Sequence, residues 1–243
     1  MAHAMEYDKK AAAFGGFDAL LFDLFGTLVD TSSLARGFEE IGIAVDVKAF
    51  SEAWQSKRLQ YMWVNSLLTK SSSNTAPVVQ FQPFEKLSIR ALSYTAKMHG
   101  INLSEDQIVR ISESQLSLDI LPDVRQGLEK VHSAGNIRMS VLTNGSSRNT
   151  EKLLQKNGLD HYFEAVISAE DVRYYKPSPE PYYHAANVLK LPASRLVMVS
   201  ANLWDIAGAQ NAGMKACWIN REAILDIDQM DVRGDLSFPS LIE

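Results

Sequence analysis

The sequence predicts an α/β fold in which a parallel sheet carries helices on both faces. Three observations predict it. Short apolar runs at residues 19–22, 141–143, 165–168, 196–200 and 216–219 have strand length and read as strands buried within a sheet. Segments with apolar residues at helical spacing alternate with them. The stretch between the first and second strands holds helical patterns alone, which places an all-helical insertion there.

Residues 1–16 are Ala-rich and are expected to be disordered or in part vector-derived. The first strand runs through Ala19 to Phe22, and Asp23 stands at its C-terminal tip before a Gly26-Thr27 turn. Residues 47–68 carry Phe50, Trp54, Leu59 and Met62 at helical spacing. Residues 71–77 are Ser-rich and polar and are expected to form a mobile loop. A helix over 84–98 meets a stop signal at His99-Gly100, and a third over 104–118 opens on Ser104 as its N-cap. Leu121-Pro122-Asp123 begins a helix that runs to His132. The second strand follows, then a helix over 146–157, the strand at 165–168, a helix over 179–189, and the strands beginning at Leu196 and Ala216. No internal repeat or heptad seam is present.

Composition bounds the function. With 243 residues and 46% hydrophobic content, the chain can bury a core of one α/β domain plus the insertion. The core is assigned to residues 17–31 and 119–243, the insertion to 32–118. A net charge of −5 leaves no basic footprint for nucleic acid or an anionic membrane surface. Cys217, the single cysteine, lies in an apolar run, cannot form an internal disulfide and suits a cytoplasmic setting. No apolar stretch approaches the ~20 residues that span a bilayer, and the start lacks a signal-peptide core. His99, His132, His161 and His184 fall at no metal-ligand spacing, and His3 lies in the unassigned start.

Chemistry concentrates where strands end. Open α/β sheets bind ligands at the carboxyl ends of their strands, so Asp23 is a candidate nucleophile; a loop acid that caps the next helix is the alternative. Thr27 can hold that carboxylate or cap a helix. Thr143 and Asn144, with their backbone amides at a helix start, suit an anion site for a substrate carboxylate, or an ordinary cap followed by a Gly-containing turn. Lys176 precedes Pro177 and a helix; it is either a solvated lysine or a fixed charge that must sit beside carboxylates, because an unpaired buried ammonium is costly. Ser200, Asn202 and Asp205 fall together after another strand and suit orientation of a water, with Asp205 also readable as a first-turn helix acid.

Taken in this order, Leu20-Leu21-Phe22-Asp23-Leu24-Phe25-Gly26-Thr27, Val141-Leu142-Thr143-Asn144-Gly145-Ser146, Tyr175-Lys176-Pro177 and Ser200-Ala201-Asn202-Leu203-Trp204-Asp205 resemble the haloacid dehalogenase superfamily, and within it the L-2-haloacid dehalogenase branch. The resemblance runs from about Phe17 to Arg221. It implies a Rossmann-like, doubly wound core with a helical cap, and an aspartyl-ester mechanism in which Asp23 attacks a saturated carbon and water hydrolyses the ester. Most superfamily members are magnesium phosphatases with a second aspartate two residues after the nucleophile. That position is Phe25 here, and the last motif keeps Asp205 as its acid, so neither a metal nor another cofactor is expected.

The resemblance also implies the substrate contacts. Leu24, Phe25, Leu59, Phe84, Tyr182 and Trp204 match apolar pocket positions, or serve as simple core. A family arginine that follows Trp in the cap helix, contacting the substrate carboxylate or the departing halide, is Gln55 here. Arg58, one turn further along, either reaches inward or stays on the surface. Losing the guanidinium removes a charge-assisted contact worth roughly 1.5–3 kcal/mol to an anion. The function expected is therefore metal-free hydrolysis at C2 of a small carboxylic acid, foremost of an L-2-haloacid. Ring opening of azetidine-2-carboxylate, whose amine leaving group an arginine would repel, and a catalytically silent binding protein are the alternatives. Relatives imply a homodimer.

Overall fold

The computed structural model describes residues 16–69, 79–135, 137–222 and 232–243; the expectations for residues 1–15 and for the 71–77 loop lie outside them. Six strands form one parallel sheet: β1 (Ala19–Phe22), β2 (Arg138–Thr143), β3 (Ala165–Ser168), β4 (Leu196–Ser200), β5 (Lys215–Ile219) and β6 (Leu236–Phe238). Their order is β3-β2-β1-β4-β5-β6. Phe22 lies in register with Val141 on one side and Val199 on the other, so β1 is central. The order reverses between β1 and β4, and the crevice at such a reversal is where doubly wound sheets bind ligands.

The helices of the described residues are α1 (Gly37–Glu40), α2 (Val47–Thr69), α3 (Phe84–Met98), α4 (Glu105–Glu113), α5 (Val124–Ser133), α6 (Ser147–Lys156), α7 (Pro179–Leu189) and α8 (Leu203–Asn211). Alternation along β1 sorts the core into two layers. Leu20 and Phe22 point to the face packed by Leu128 of α5 and Leu153 and Leu154 of α6. Ala19 and Leu21 point to the opposite face, against Tyr182 and Ala185 of α7 and Ile206 and Ala209 of α8. With both faces covered, β1 and β4 are buried throughout, which is why their sequences are almost wholly apolar.

Helices α1 to α4 lie between β1 and β2 in the chain and pack on one another. The inward stripe of α2 is Phe50, Trp54, Arg58, Met62 and Asn65. Trp54 Nε1 donates to the carbonyl of Ser88 at 2.9 Å, pinning α2 to α3. Ser104 caps α4 in a reciprocal capping box with Gln107. The helix expected over 104–118 gives way after Glu113 to a 3-10 turn, Ser114–Ser117. Ser114 Oγ there contacts the carbonyls of Leu34 and Ile111, and Gln115 Nε2 donates to that of Ser112. Side chains that take up backbone carbonyls in this way compete with the helical ladder.

Two further differences have local causes. The helix expected from 121 starts at Val124, since the Asp123 carboxylate makes no cap and instead accepts from Arg221 Nε and the Leu241 amide. The edge strand β6 was not foreseen. It is three residues long, too short for a periodic signal, and exists by pairing with Cys217 and Ile219 of β5.

Replacing Trp54 with Phe deletes this buried hydrogen bond and leaves a void beside the smaller ring, and is expected to destabilise the protein by about 1–3 kcal/mol. Denaturant unfolding followed by circular dichroism measures it; an unchanged midpoint would show that the Trp54–Ser88 bond does not hold α2 to α3.

Candidate active site

Strand β1 delivers Asp23 to the switch point, where it is 4% exposed. Its two oxygens are treated differently. Oδ2 accepts from Thr27 Oγ1 at 2.9 Å, Asn202 Nδ2 at 2.8 Å and Ser200 Oγ at 3.3 Å. Oδ1 accepts from Lys176 Nζ at 2.8 Å and has no other partner among the described residues. Gly26 turns the chain after Asp23 with φ +80°, a conformation that disfavours a side chain. Thr27 is not a helix cap: its hydroxyl donates to Asp23 and accepts the Ala201 amide, joining the loops after β1 and β4. Arg221 braces the same turn, donating to the carbonyls of Gly26 and Thr27 while Asp123 holds its Nε.

Asn202 precedes α8 in the N-cap position but makes no cap with its side chain. That amide is spent on Asp23 and on the Phe25 carbonyl at 3.2 Å. A residue type favoured at caps that forgoes the cap for a carboxylate marks a position set by the site.

Lys176 is fully buried, and its ammonium makes three bonds: to Asp23 Oδ1 at 2.8 Å, Asp205 Oδ2 at 2.8 Å and the Leu142 carbonyl at 2.9 Å. All three protons are matched, the condition under which a buried ammonium is tolerated. Burial alone would push this ammonium down, but Asp205 and Asp23 together hold it above the ordinary lysine value. Asp205 is equally buried, and burial pushes its carboxyl up to about 6 against the opposing pull of Lys176. Its Oδ1 accepts from the Tyr182 hydroxyl at 2.6 Å.

The side chains of Thr143 and Asn144 are engaged within the protein, and Tyr182 needs correction as a substrate contact. The Thr143 hydroxyl accepts the Gly145 amide, and the Asn144 side chain accepts the Lys176 amide at 2.8 Å while donating to the Lys176 carbonyl at 3.4 Å. Their work is to fasten the turn that carries Lys176. Tyr182 does not line a pocket: it is wholly buried in the layer of α7 and α8, behind Asp205. Gly208 of α8 permits this arrangement, since a Cβ there would lie 2.5 Å from the Tyr182 hydroxyl and 2.8 Å from Pro177 Cβ.

The insertion covers the site with an aromatic face. The rings of Phe25 and Phe84 stack at 5.4 Å, and the Arg58 guanidinium lies over both, 5.1 Å and 4.9 Å from their centres. Arg58 therefore points inward and is 2% exposed. Its Nη1 donates to Gln115 Oε1 at 2.9 Å, and its Nε is buried without a partner among the described residues. Burial lowers this guanidinium to about 10, which leaves it charged at neutral pH. Gln55 and Leu59 face a cleft of about 620 Å³ that also reaches Asn202. Leu24 and Phe25 border a separate cavity of about 180 Å³ with Gln115. Trp204 lies 5.8 Å from Lys176 Nζ and edge-on to Trp63.

Gln115 was absent from the sequence reading, and polar residues at a helix end give no signal. Arg58 did carry one: it falls four residues after Trp54 and four before Met62, on the buried stripe. Among the described residues no three His, Cys, Asp or Glu side chains converge to hold a metal ion. Among the described residues no helix is long and apolar enough to cross a membrane.

Comparison with known proteins bears on the family and the fold. A family profile described as haloacid dehalogenase-like hydrolase matches residues 17–213. The chain is 32% identical over 206 residues to (S)-2-haloacid dehalogenase 2 of Pseudomonas sp. (strain CBS-3), covering 83% of each. It is 30% identical to haloacetate dehalogenase H-2 of Moraxella sp. (strain B), covering 91% of this chain and 93% of that protein. A crystal structure of an L-2-haloacid dehalogenase superposes with a TM-score of 0.83 at 26% identity, covering 93% and 96%.

The Asp205 carboxyl is expected to titrate near pH 6 rather than near 4. Changing Tyr182 to Phe deletes a hydrogen bond that favours the ionised form, so the titration should move higher. Carboxyl carbon NMR reads both; a normal aspartate titration in the wild type would overturn the argument.

Proposed function

The chain belongs to the haloacid dehalogenase-like hydrolases, and on that footing we propose that it hydrolyses an L-2-haloacid, through an ester on Asp23 and without a metal, to the 2-hydroxy acid and halide. The observation that carries this reading is the division of labour between the two oxygens of Asp23. Oδ2 is saturated by three donors, whereas Oδ1 faces one and keeps a lone pair with which to attack C2. The C2–halogen bond breaks as the C2–oxygen bond forms, and the halide leaves with the bonding pair. In the resulting ester Oδ2 is the carbonyl oxygen. Thr27, Asn202 and Ser200 then act as preorganised donors to the oxyanion that develops when water adds to Cγ. Asp205, ionised above about pH 6, takes the proton from that water and returns one to the departing alkoxide.

Residues 17–31 and 119–243 form the catalytic core and 32–118 the cap. Acidic side chains help hold cap to core: Glu170 accepts the Phe84 amide, Glu85 accepts from Ser146 and Asn149, and Asp119 accepts from Arg36. Leu24, Phe25, Leu59, Phe84 and Trp204 exclude water from the first step, and Gln55 faces the entrance. Two features support metal-free chemistry. Phe25 stands where a phosphatase has its second aspartate, and Lys176 bridges Asp23 and Asp205. The buried guanidinium of Arg58 favours an anionic leaving group and would repel the protonated amine of the azetidine alternative.

Halide release from L-2-chloropropionate in EDTA is expected for the wild type, with loss of at least a thousandfold in the Asp23→Asn variant. A folded protein that requires added magnesium, or an active Asp23→Asn variant, would refute the proposal. In a single turnover in ¹⁸O water the label should enter Asp23 and not the product; label found directly in the 2-hydroxy acid would exclude the ester.

A further inference from the structure

The two buried cations of the site differ in what surrounds them. Lys176 is matched by two carboxylates and a carbonyl. Arg58 is met by a neutral amide and two aromatic rings, with no carboxylate ion-paired to it among the described residues. Glu85 and Glu113, which border the neighbouring 180 Å³ cavity with Gln115, make no ion pair with it. Its charge is therefore held in place and left unspent.

Gln115 is built for this. Its Oε1 accepts from Arg58 Nη1 and from Ser88 Oγ, both at 2.9 Å, and its Nε2 donates to the Ser112 carbonyl at 3.0 Å. The amide is thus oriented with oxygen toward the guanidinium, and it is 8% exposed. Ser88 is anchored in turn by Trp54, which donates to its carbonyl. A carboxylate in the place of Gln115 would satisfy the same donors but would cancel the cation.

We propose that Gln115 is a positioning residue that sets the charge specificity of the cap: it fixes Arg58 over Phe25 and Phe84 with a neutral acceptor, so that the guanidinium remains available to an anion. Resting on the reading above, that anion is the departing halide. During attack the negative charge moves off Asp23, which Lys176 serves, and onto the leaving group. Phe25 links the two ends, since Asn202 holds both its carbonyl and Asp23.

Bromide-81 line broadening, recorded without substrate, tests this directly. Wild type should bind bromide. Gln115→Glu should weaken binding at least tenfold at neutral pH and recover it as the pH falls and the new carboxyl is protonated, a rescue that lost packing would not produce. Gln115→Met, which removes the acceptor without adding charge, should weaken binding severalfold with no such recovery. Absence of bromide binding in the wild type, or undiminished binding by either folded variant at neutral pH, would overturn the inference. If Gln115→Glu does not fold, the Met variant decides alone. Bromide binding that depends on Gln115 in a protein that releases no halide from 2-haloacids would sink the dehalogenase reading and leave this one standing.

Discussion

The buried ammonium of Lys176 is the interaction around which the site is arranged. A charge removed from water at the edge of a sheet is tolerated only when every proton finds an acceptor and the charge finds an opposite. Asp23 and Asp205 supply the charge, and the Leu142 carbonyl takes the third proton. Much of the surrounding structure serves that arrangement. Asn144 clamps the Lys176 backbone from both sides, Tyr182 secures the far oxygen of Asp205, and Gly208 lets α8 approach closely enough for both. The same ammonium leaves Asp23 Oδ1 with one partner while three donors occupy Oδ2. In the proposed mechanism one carboxylate in this way serves both as nucleophile and, once esterified, as an activated carbonyl.

Cap and core divide the electrostatics. The core contributes a closed set, Asp23, Lys176 and Asp205, whose members satisfy one another. The cap contributes Arg58, whose guanidinium is stacked on Phe25 and Phe84 and held by Gln115 with no charge against it. In the proposed function Arg58 stands in, one helical turn away, for the family arginine that the resemblance places at Gln55. A guanidinium can be relocated in this manner because it is long and flat and lies favourably on aromatic rings.

Much of the fold was legible because the rules involved are local. Strands covered on both faces must be apolar, so β1 to β5 announce themselves, and Pro179 and Ser104 mark helix starts by their chemistry. The short β6 and the early end of α4 were not legible. The first exists through pairing with β5, and the second through side chains of Ser114 and Gln115 that bond to carbonyls nearby in space. Within the site, Tyr182 shows the limit of motif reading: it belongs to the constellation, yet it faces Asp205 rather than a pocket.

By itself the sequence determined the class of the fold, the insertion of helices after the first strand, and the set of polar residues that gather where strands end. These follow from periodicity and from the geometry of parallel sheets, which brings every strand's carboxyl end to one edge. Only the tertiary structure decided which oxygen of Asp23 is left with a single partner, that Lys176 is shared between two carboxylates, and that Arg58 points inward to a neutral partner contributed by a turn 57 residues away. Those outcomes depend on distances of about 3 Å between groups far apart in the chain, and hydrogen bonds and buried charges are decided at that range.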